Sequence, residues 1–141
     1  MVRINLISPI NLADQHLIAE YDEILMLLAY VKRYPKTENI PKKYCLGKGH
    51  IKFFKNKLRY LKERHELIKK EMKKRGFKAS KTIKLSDFKK DLINNWRPDK
   101  KDKDIIKKRL IQKINLKPEF YRYKKEHKPK RFFIDMIKKA Y

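Results

Sequence analysis

The chain of 141 residues carries 40 Lys and Arg against 16 Asp and Glu, so its formal net charge is +24. This length predicts one domain, and a composition with 40% charged residues and only 3 glycines favours helices over a sheet-rich fold. The single cysteine, Cys45, excludes an internal disulfide and a cysteine metal cluster. The longest apolar run, residues 24–31, is too short to span a bilayer.

The excess of positive charge predicts a polyanionic partner. Self-repulsion on this scale opposes compaction unless negative charge is bound nearby, so nucleic acid is the first partner to consider. Its binding would weaken steeply with salt, because each contacted phosphate releases condensed counterions. An acidic membrane surface is the alternative that composition alone leaves open. The four histidines lack metal-ligand spacing, so no metal and no cofactor are predicted.

The predicted elements are helices separated by loops that prolines and glycines mark. Residues 2–7 are expected to be extended and tucked against the helices. The first helix is predicted to begin at residues 8–9 or with Asn11 as its N-cap, and to end near Tyr34, before Pro35. The later helices are predicted over residues 49–76, 86–94, 99–116 and 131–141.

The helix over residues 49–76 has the most regular pattern. Its apolar positions alternate in steps of three and four, as in the seam of a closely packed helix pair, and they are Ile51, Phe54, Leu58, Leu61, His65, Ile68 and Met72. Gly76 is predicted to cap its C-terminus. These patterns predict an all-α fold, a compact single domain of three main helices plus short helices, with the N-terminal segment between them.

Three polar residues share one face of the first helix. His16, Glu20 and Glu23 are spaced by four and three, so their side chains lie above one another beside an apolar stripe that should face the core. A polar stripe next to a buried face and near the start of the chain is a candidate active site. A solvated helix carboxylate is the alternative for Glu23, and Glu20 is expected to be orienting or structural.

The start of the chain offers an unusual nucleophile. If Met1 is removed, which a small second residue generally permits, the free α-amine belongs to Val2. An α-amine has a pKa of about 7.7–8.0 against about 10.4 for lysine, so far more of it is neutral near pH 7. Glu23 would position this amine and move protons.

Several short motifs between residues 3 and 125 are weak singly but specific in combination. They are Arg3-Ile4-Asn5-Leu6, Leu12-Ala13-Asp14-Gln15-His16-Leu17, Ala19-Glu20-Tyr21 with Glu23, Leu46-Gly47, Gly49-His50, Phe53-Phe54, Lys57-Leu58, Lys74-Arg75-Gly76-Phe77, Arg109-Leu110, Lys113-Ile114, Tyr121 and Tyr123. In these motifs and their order the chain resembles the pyrimidine-dimer DNA glycosylases with AP-lyase activity, of the phage endonuclease V type.

The resemblance implies a helical glycosylase/lyase domain over residues 1–125, an intracellular monomer that acts on double-stranded DNA with damaged pyrimidines. It implies that the α-amine of Val2 attacks the deoxyribose C1′, that a Schiff base forms, and that β-elimination cleaves the strand. Glu23 is implied as the essential carboxylate. The other residues implied to line the site or to contact DNA are Arg3, Gln15, His16, Tyr21, Arg109, Lys113, Tyr121, Arg122 and Tyr123. From the residues alone, Tyr121 and Tyr123 suit the core and DNA equally.

Two positions depart from the phage-type pattern, because Asp22 and Met26 stand where that pattern has arginines that grip the DNA. A reversed charge beside Glu23 should weaken phosphate binding, which leaves the lesion specificity open. Abasic sites and oxidised pyrimidines are therefore alternative substrates, and a non-catalytic protein that condenses DNA or RNA is an alternative that charge alone supports. Residues 126–141 exceed the phage-type length and are expected to form a basic, helical extension packed on the same domain.

Overall fold

A computed structural model of the chain describes residues 3–141. Within these residues there are five α-helices, and they are α1 (Asp14–Arg33), α2 (His50–Phe54), α3 (Leu58–Lys74), α4 (Lys100–Leu116) and α5 (Lys130–Lys139). Single 3₁₀ turns occur at Pro9–Asn11, Gly47–Gly49, Leu85–Asp87 and Lys90–Leu92. Strands β1 (Arg122–Tyr123) and β2 (Glu126–His127) form a small antiparallel hairpin that was not predicted. The predicted all-α fold is confirmed.

The predicted start of the first helix is wrong. Pro9–Asn11 forms a separate 3₁₀ turn, and α1 begins only at Asp14, after extended Leu12 and Ala13. The buried guanidinium of Arg75 accounts for this, because it donates hydrogen bonds to the carbonyl oxygens of Pro9 (3.1 Å) and Leu12 (2.8 Å). Those carbonyls therefore have partners outside a helical ladder. The side chain of Asn11 donates to the Met136 carbonyl instead of capping the helix.

The predicted helix over residues 49–76 is two helices, α2 and α3. The chain leaves helical geometry at Lys57, whose φ of −127° and ψ of 41° break the ladder after Phe54. The Lys57 ammonium donates to the Phe53 carbonyl at 2.7 Å and so satisfies one group that the break exposes. The predicted cap at Gly76 is confirmed, since its φ of 86° allows the Phe77 N–H to bond the Met72 carbonyl at 2.9 Å.

Helix α4 forms the main partner of the C-terminal helix. Asp99 and Asp102 form a capping box at the start of α4, because each side chain accepts a hydrogen bond from the other residue's backbone N–H. The amphipathic helix α5 packs on α4 and buries Phe133 and Ile137. The short helix predicted over residues 86–94 is wrong, since this region contains two isolated 3₁₀ turns.

The described part of the N-terminal segment lies in the core, as predicted, but the prediction that it is extended throughout is wrong. Ile4 and Ile7 are fully buried, and the segment makes a tight three-residue turn in which the Ile7 N–H bonds the Asn5 carbonyl at 2.6 Å. Leu6, at the centre of this turn, has a φ of 59°, a left-handed conformation that is strained for a bulky residue. Backbone strain of this kind persists only where surrounding contacts hold it in place, often near functional sites.

Candidate active site

Glu23 lies on α1 at the point where the N-terminal segment passes. The backbone N–H of Arg3 donates a hydrogen bond of 3.0 Å to Oε2 of Glu23. The carboxylate is half-buried, and it faces a pocket of about 150 Å³. Glu23 is therefore held against Arg3, and two of the three residues of the predicted polar stripe, His16 and Glu23, line the pocket.

The pocket beside Glu23 is built from segments that are far apart in sequence. The N-terminal segment contributes Arg3 and Asn5, and α1 contributes His16, Ala19 and Glu23. Helix α4 supplies Arg109, Leu110 and Lys113, and Tyr121 closes one side. The structure thus brings together six of the predicted site residues, which are Arg3, His16, Glu23, Arg109, Lys113 and Tyr121.

Burial and hydrogen bonding shift the pKa of Glu23 in opposite directions. Burial raises the pKa of Glu23 above its usual range, and the hydrogen bond from the Arg3 N–H opposes this shift without cancelling it. The guanidiniums of Arg3 and Arg109 and the ammonium of Lys113 surround the same pocket. One partly desolvated carboxylate among three cations suits a site that binds an anionic substrate and moves a proton.

His16 is neutral at physiological pH. Burial, together with the cations of Arg109 and Lys113, lowers the pKa of His16 to about 4. Its ring packs on Tyr121 with centroids 4.7 Å apart. The Nδ1 atom is buried and has no hydrogen-bond partner within residues 3–141. A buried, unpaired acceptor or donor at the wall of the pocket is available to a bound substrate or an ordered water.

The hairpin segment that carries Tyr121 is tied to α1 by two polar side chains. Gln15 donates to the Phe120 carbonyl at 2.9 Å and accepts from the Arg122 N–H at 3.0 Å. The Asp14 carboxylate accepts two backbone N–H groups at the turn of the hairpin, from Lys124 and Lys125. Gln15 thus holds the edge of the pocket rather than lining it.

Three other predicted site residues also lie outside the pocket. The Tyr21 side chain is buried, stacks on His65 and accepts a hydrogen bond from the Lys81 N–H at 2.9 Å. The Tyr123 hydroxyl donates to the Ile10 carbonyl, and Arg122 is exposed. Val2, the predicted nucleophile, lies outside the described residues, one peptide bond from Arg3.

Glu20 belongs to the interior rather than to the pocket. Its carboxylate is fully buried and makes a two-pronged ion pair with Arg64, in which the Arg64 Nη2 to Glu20 Oε1 distance is 2.9 Å. Arg64 also donates to the Ile7 carbonyl at 2.8 Å. Glu20 is therefore structural in this fold, which is the role that the sequence suggested for it.

Two residues that contact the N-terminal segment were missed as site residues. The buried side chains of His50 and Tyr44 both bond to the backbone of Ile4, next to Arg3. The Gly49-His50 pair was part of the resemblance, but a short motif carries no information about which distant residue the imidazole contacts. Only the packing of the start of α2 against the N-terminal segment reveals this contact.

The buried His50 predicts how stability depends on pH. Burial lowers the pKa of His50 to about 4, from an ordinary value of 6.5. Because the unfolded state binds the proton more tightly, the neutral His50 makes its full contribution to the free energy of unfolding above about pH 6.5. This contribution is lost as the pH falls towards 4. We expect His50 to account for about 2 kcal/mol of the loss between pH 7.5 and pH 5.

Urea unfolding of the wild type and of His50→Gln at these two pH values measures this contribution. The variant should be less stable at pH 7.5, and its free energy of unfolding should change less with pH. An equal pH dependence in both proteins would contradict a buried, neutral His50.

No helix within residues 3–141 is long and apolar enough to cross a membrane. In the same range, no three His, Cys, Asp or Glu side chains are grouped so as to hold a metal ion.

The comparison with known families bears on the half of the chain that carries Glu23. The family model for pyrimidine dimer DNA glycosylases matches residues 1–85. This range includes the N-terminal segment, α1, α2 and α3, and therefore Arg3, His16 and Glu23 of the pocket. The remaining cations of the pocket, on α4, lie beyond the matched range. By its match over more than half of its length, the chain belongs to the pyrimidine dimer DNA glycosylase family, and it is an enzyme that acts on DNA.

Proposed function

We propose that this glycosylase is also an AP lyase, in which the α-amine of Val2 is the nucleophile and Glu23 moves the protons. The observation that carries the proposal is the 3.0 Å hydrogen bond between the Arg3 N–H and the Glu23 carboxylate. Consecutive Cα atoms are about 3.8 Å apart, so a chain that begins at Val2 has its amine close to this carboxylate by covalent connection alone. The proposal requires Val2 to be the first residue of the mature protein.

The proposed reaction begins when the neutral amine of Val2 attacks C1′ of the damaged nucleotide. The glycosidic C–N bond breaks, its electron pair leaves with the base, and the base takes up a proton. The C1′–O4′ bond then breaks with its electron pair on O4′, which takes up a proton, and the nitrogen lone pair forms a protonated Schiff base at C1′. Glu23 removes a proton from C2′, the C3′–O bond breaks, and the phosphate leaves with that electron pair. Water finally hydrolyses the imine and releases the amine.

The environment of Glu23 suits this sequence of proton transfers. Burial raises the pKa of the carboxyl group towards neutrality, which makes the carboxylate a stronger base than an exposed glutamate. The positive charges of Arg3, Arg109 and Lys113 would bind the phosphates on either side of the reacting sugar. In this proposal Tyr121 and His16 form the wall against which the sugar is held. No step requires a metal or a cofactor.

The lesion is a separate question, and one observation favours a second candidate. Asp22 is exposed, and Met26 on the next turn of α1 is 60% exposed, so neither of these residues adds positive charge next to Glu23. A site that binds phosphate more weakly favours lesions whose nucleotide leaves the base stack easily, since a damaged or missing base costs less to unstack. Abasic sites and oxidised pyrimidines are the alternative substrates.

Trapping with borohydride tests the chemistry. In the presence of sodium borohydride, the wild type is expected to form a stable adduct with an abasic duplex, because the reductant converts the Schiff base to an amine. Mass spectrometry of the N-terminal peptide should place the adduct on Val2 and show that Met1 is absent. Ultraviolet-irradiated duplex should give the same adduct if pyrimidine dimers are substrates.

A matched control moves the amine by one residue. Insertion of a glycine before Val2 leaves a free, unhindered α-amine but displaces it from Glu23, so trapping should fall sharply. Val2→Thr should trap like the wild type, because only the main-chain amine reacts. An adduct found on a lysine, or no adduct with either DNA, would overturn the proposed nucleophile. Trapping with abasic but not irradiated DNA would favour the second lesion class.

A further inference from the structure

The backbone of Ile4 is held from two directions by buried side chains. The Ile4 N–H donates a hydrogen bond of 2.9 Å to Nε2 of His50. The Tyr44 hydroxyl donates a hydrogen bond of 2.9 Å to the Ile4 carbonyl oxygen. Ile4 and His50 are fully buried, and Tyr44 is 3% exposed, so water does not compete for these bonds. Both polar groups of this residue are therefore satisfied by side chains that are 40 and 46 residues away in sequence.

The imidazole of His50 accepts a hydrogen bond through Nε2 and donates one through Nδ1. Its Nδ1 lies 2.9 Å from the Cys45 carbonyl oxygen, which can only accept a hydrogen bond. The proton of the neutral ring must therefore sit on Nδ1, and Nε2 is left with a lone pair for the Ile4 N–H. Protonation of the ring would place two N–H donors face to face and break the contact. Burial keeps the ring neutral, because it lowers the pKa of His50 to about 4.

This attachment is adjacent to the candidate active site. Arg3, which follows Val2 and precedes Ile4, bonds to Glu23 through its backbone N–H. The backbone contacts of Ile4 and Arg3 therefore act on successive residues, the first through His50 and Tyr44 and the second through Glu23. Because they are attached at two successive positions, Arg3 and Ile4 have little freedom to move away from the carboxylate. Loss of such freedom before the reaction is what makes a positioned nucleophile effective.

The surroundings show that His50 and Tyr44 are rigidly placed. The ring of Tyr44 packs edge-on against His50, Phe53 and Phe54, with centroid distances between 5.4 and 6.0 Å. Trp96 stacks on Tyr44, and the two ring centroids are 6.3 Å apart. Gly49 fits closely beside Cys45 and Pro41, and a side chain there would meet Cys45 Sγ at 2.8 Å. These contacts fix the start of α2 against the loop that carries Tyr44.

We propose that His50 and Tyr44 are positioning residues that hold the start of the chain so that the amine of Val2 faces Glu23. This inference rests on the proposed lyase function. His50 and Tyr44 do not touch the substrate and take no part in proton transfer. Their loss lowers the rate of the chemical step because the amine samples more positions, whereas the cationic surface that binds DNA stays intact.

Single-turnover borohydride trapping on an abasic duplex tests the proposal, with DNA affinity and thermal stability measured on the same samples. His50→Ala should lower the trapping rate by about 100-fold, the size of effect expected from a displacement of about 1 Å. Tyr44→Phe should lower it by about 10-fold, since one of the two bonds remains. The dissociation constant for DNA should change by less than about twofold, because the phosphate-binding residues are unchanged.

A conservative replacement separates positioning from folding. In His50→Gln the amide oxygen can accept the Ile4 N–H, so most of the trapping rate should return. Tyr60→Phe is the matched control, because Tyr60 packs on the same aromatic cluster, 5.1 Å from Trp96, but has its hydroxyl near Arg64 rather than Ile4. This control should trap at the wild-type rate. Tyr44→Phe keeps the test decisive even if His50→Ala does not fold.

The two proposals fail in different ways. If the wild type forms no adduct, the lyase function falls and the positioning role falls with it. If the wild type forms an adduct but His50→Ala, or failing that Tyr44→Phe, traps at the wild-type rate, only the positioning role is overturned. A fall in trapping rate that is matched by an equal fall in DNA affinity would also overturn it.

Discussion

Replacing Glu23 with Gln is expected to slow strand cleavage of damaged duplex by at least about 100-fold, which is the lower end of what a general base contributes. The amide of the variant can still accept the Arg3 N–H, so the geometry of the pocket should survive. In the proposed lyase reaction, this amide cannot take the proton from C2′. Single-turnover cleavage of an abasic duplex, measured beside DNA affinity by gel shift, separates the two effects.

The affinity of Glu23→Gln for DNA should stay the same or increase, because the change removes a negative charge among Arg3, Arg109 and Lys113. Asp22→Asn is the matched control, since it removes the same charge from the exposed neighbouring position on α1. This control should cleave at about the wild-type rate. Cleavage by Glu23→Gln at the rate of Asp22→Asn would show that Glu23 is not catalytic.

The second large effect concerns stability. Replacing Glu20 with Gln is expected to destabilise the fold by about 3–5 kcal/mol, because it leaves the buried charge of Arg64 without its counter-ion. Burial opposes the charge on Arg64, but the adjacent Glu20 carboxylate outweighs it, and the net effect raises the pKa of Arg64 above its ordinary value. A domain is usually stable by only about 5–15 kcal/mol, so the loss is a large share of the total.

Urea or thermal unfolding measures this loss. Glu66→Gln provides the control, because Glu66 is about half exposed and pairs with Lys69 at 3.5 Å across one turn of α3. Such a surface pair contributes about 0–1 kcal/mol, so its loss should be small. If Glu20→Gln is no less stable than Glu66→Gln, the buried pair does not hold α1 to α3. The consequence for the site is direct, since Arg64 also binds the Ile7 carbonyl of the N-terminal segment.

The buried polar groups form a connected support for the N-terminal segment. Arg64 holds the carbonyl of Ile7, and His50 and Tyr44 hold the backbone of Ile4. Because this segment has no neighbouring strand within residues 3–141, its backbone groups depend on such side chains. The strained turn at Leu6 lies between these two attachments. We expect the segment to be rigid because its attachments are buried.

Local sequence patterns determined much of this protein. The spacing of apolar residues predicted the helices, Gly76 predicted the end of α3, and the spacing of His16 and Glu23 placed both side chains on the same side of α1. These features depend on residues within a few positions of each other, so helical periodicity and capping are sufficient to predict them. The net charge of +24 likewise required no structure to indicate a polyanionic partner.

Only the tertiary structure decided which residues share the pocket and which carbonyls lack helical partners. Arg109 and Lys113 reach Arg3 because α4 packs beside the N-terminal segment, and no pattern within either segment specifies that contact. Arg75 places the start of α1 at Asp14, while Lys57 marks the break before α3. The hydrogen bonds of His50 and Tyr44 to the backbone of Ile4 also join residues that are far apart in sequence. Buried hydrogen bonds between distant residues form only when the whole core is assembled, so the sequence pattern determined the helices and the assembled core determined the site.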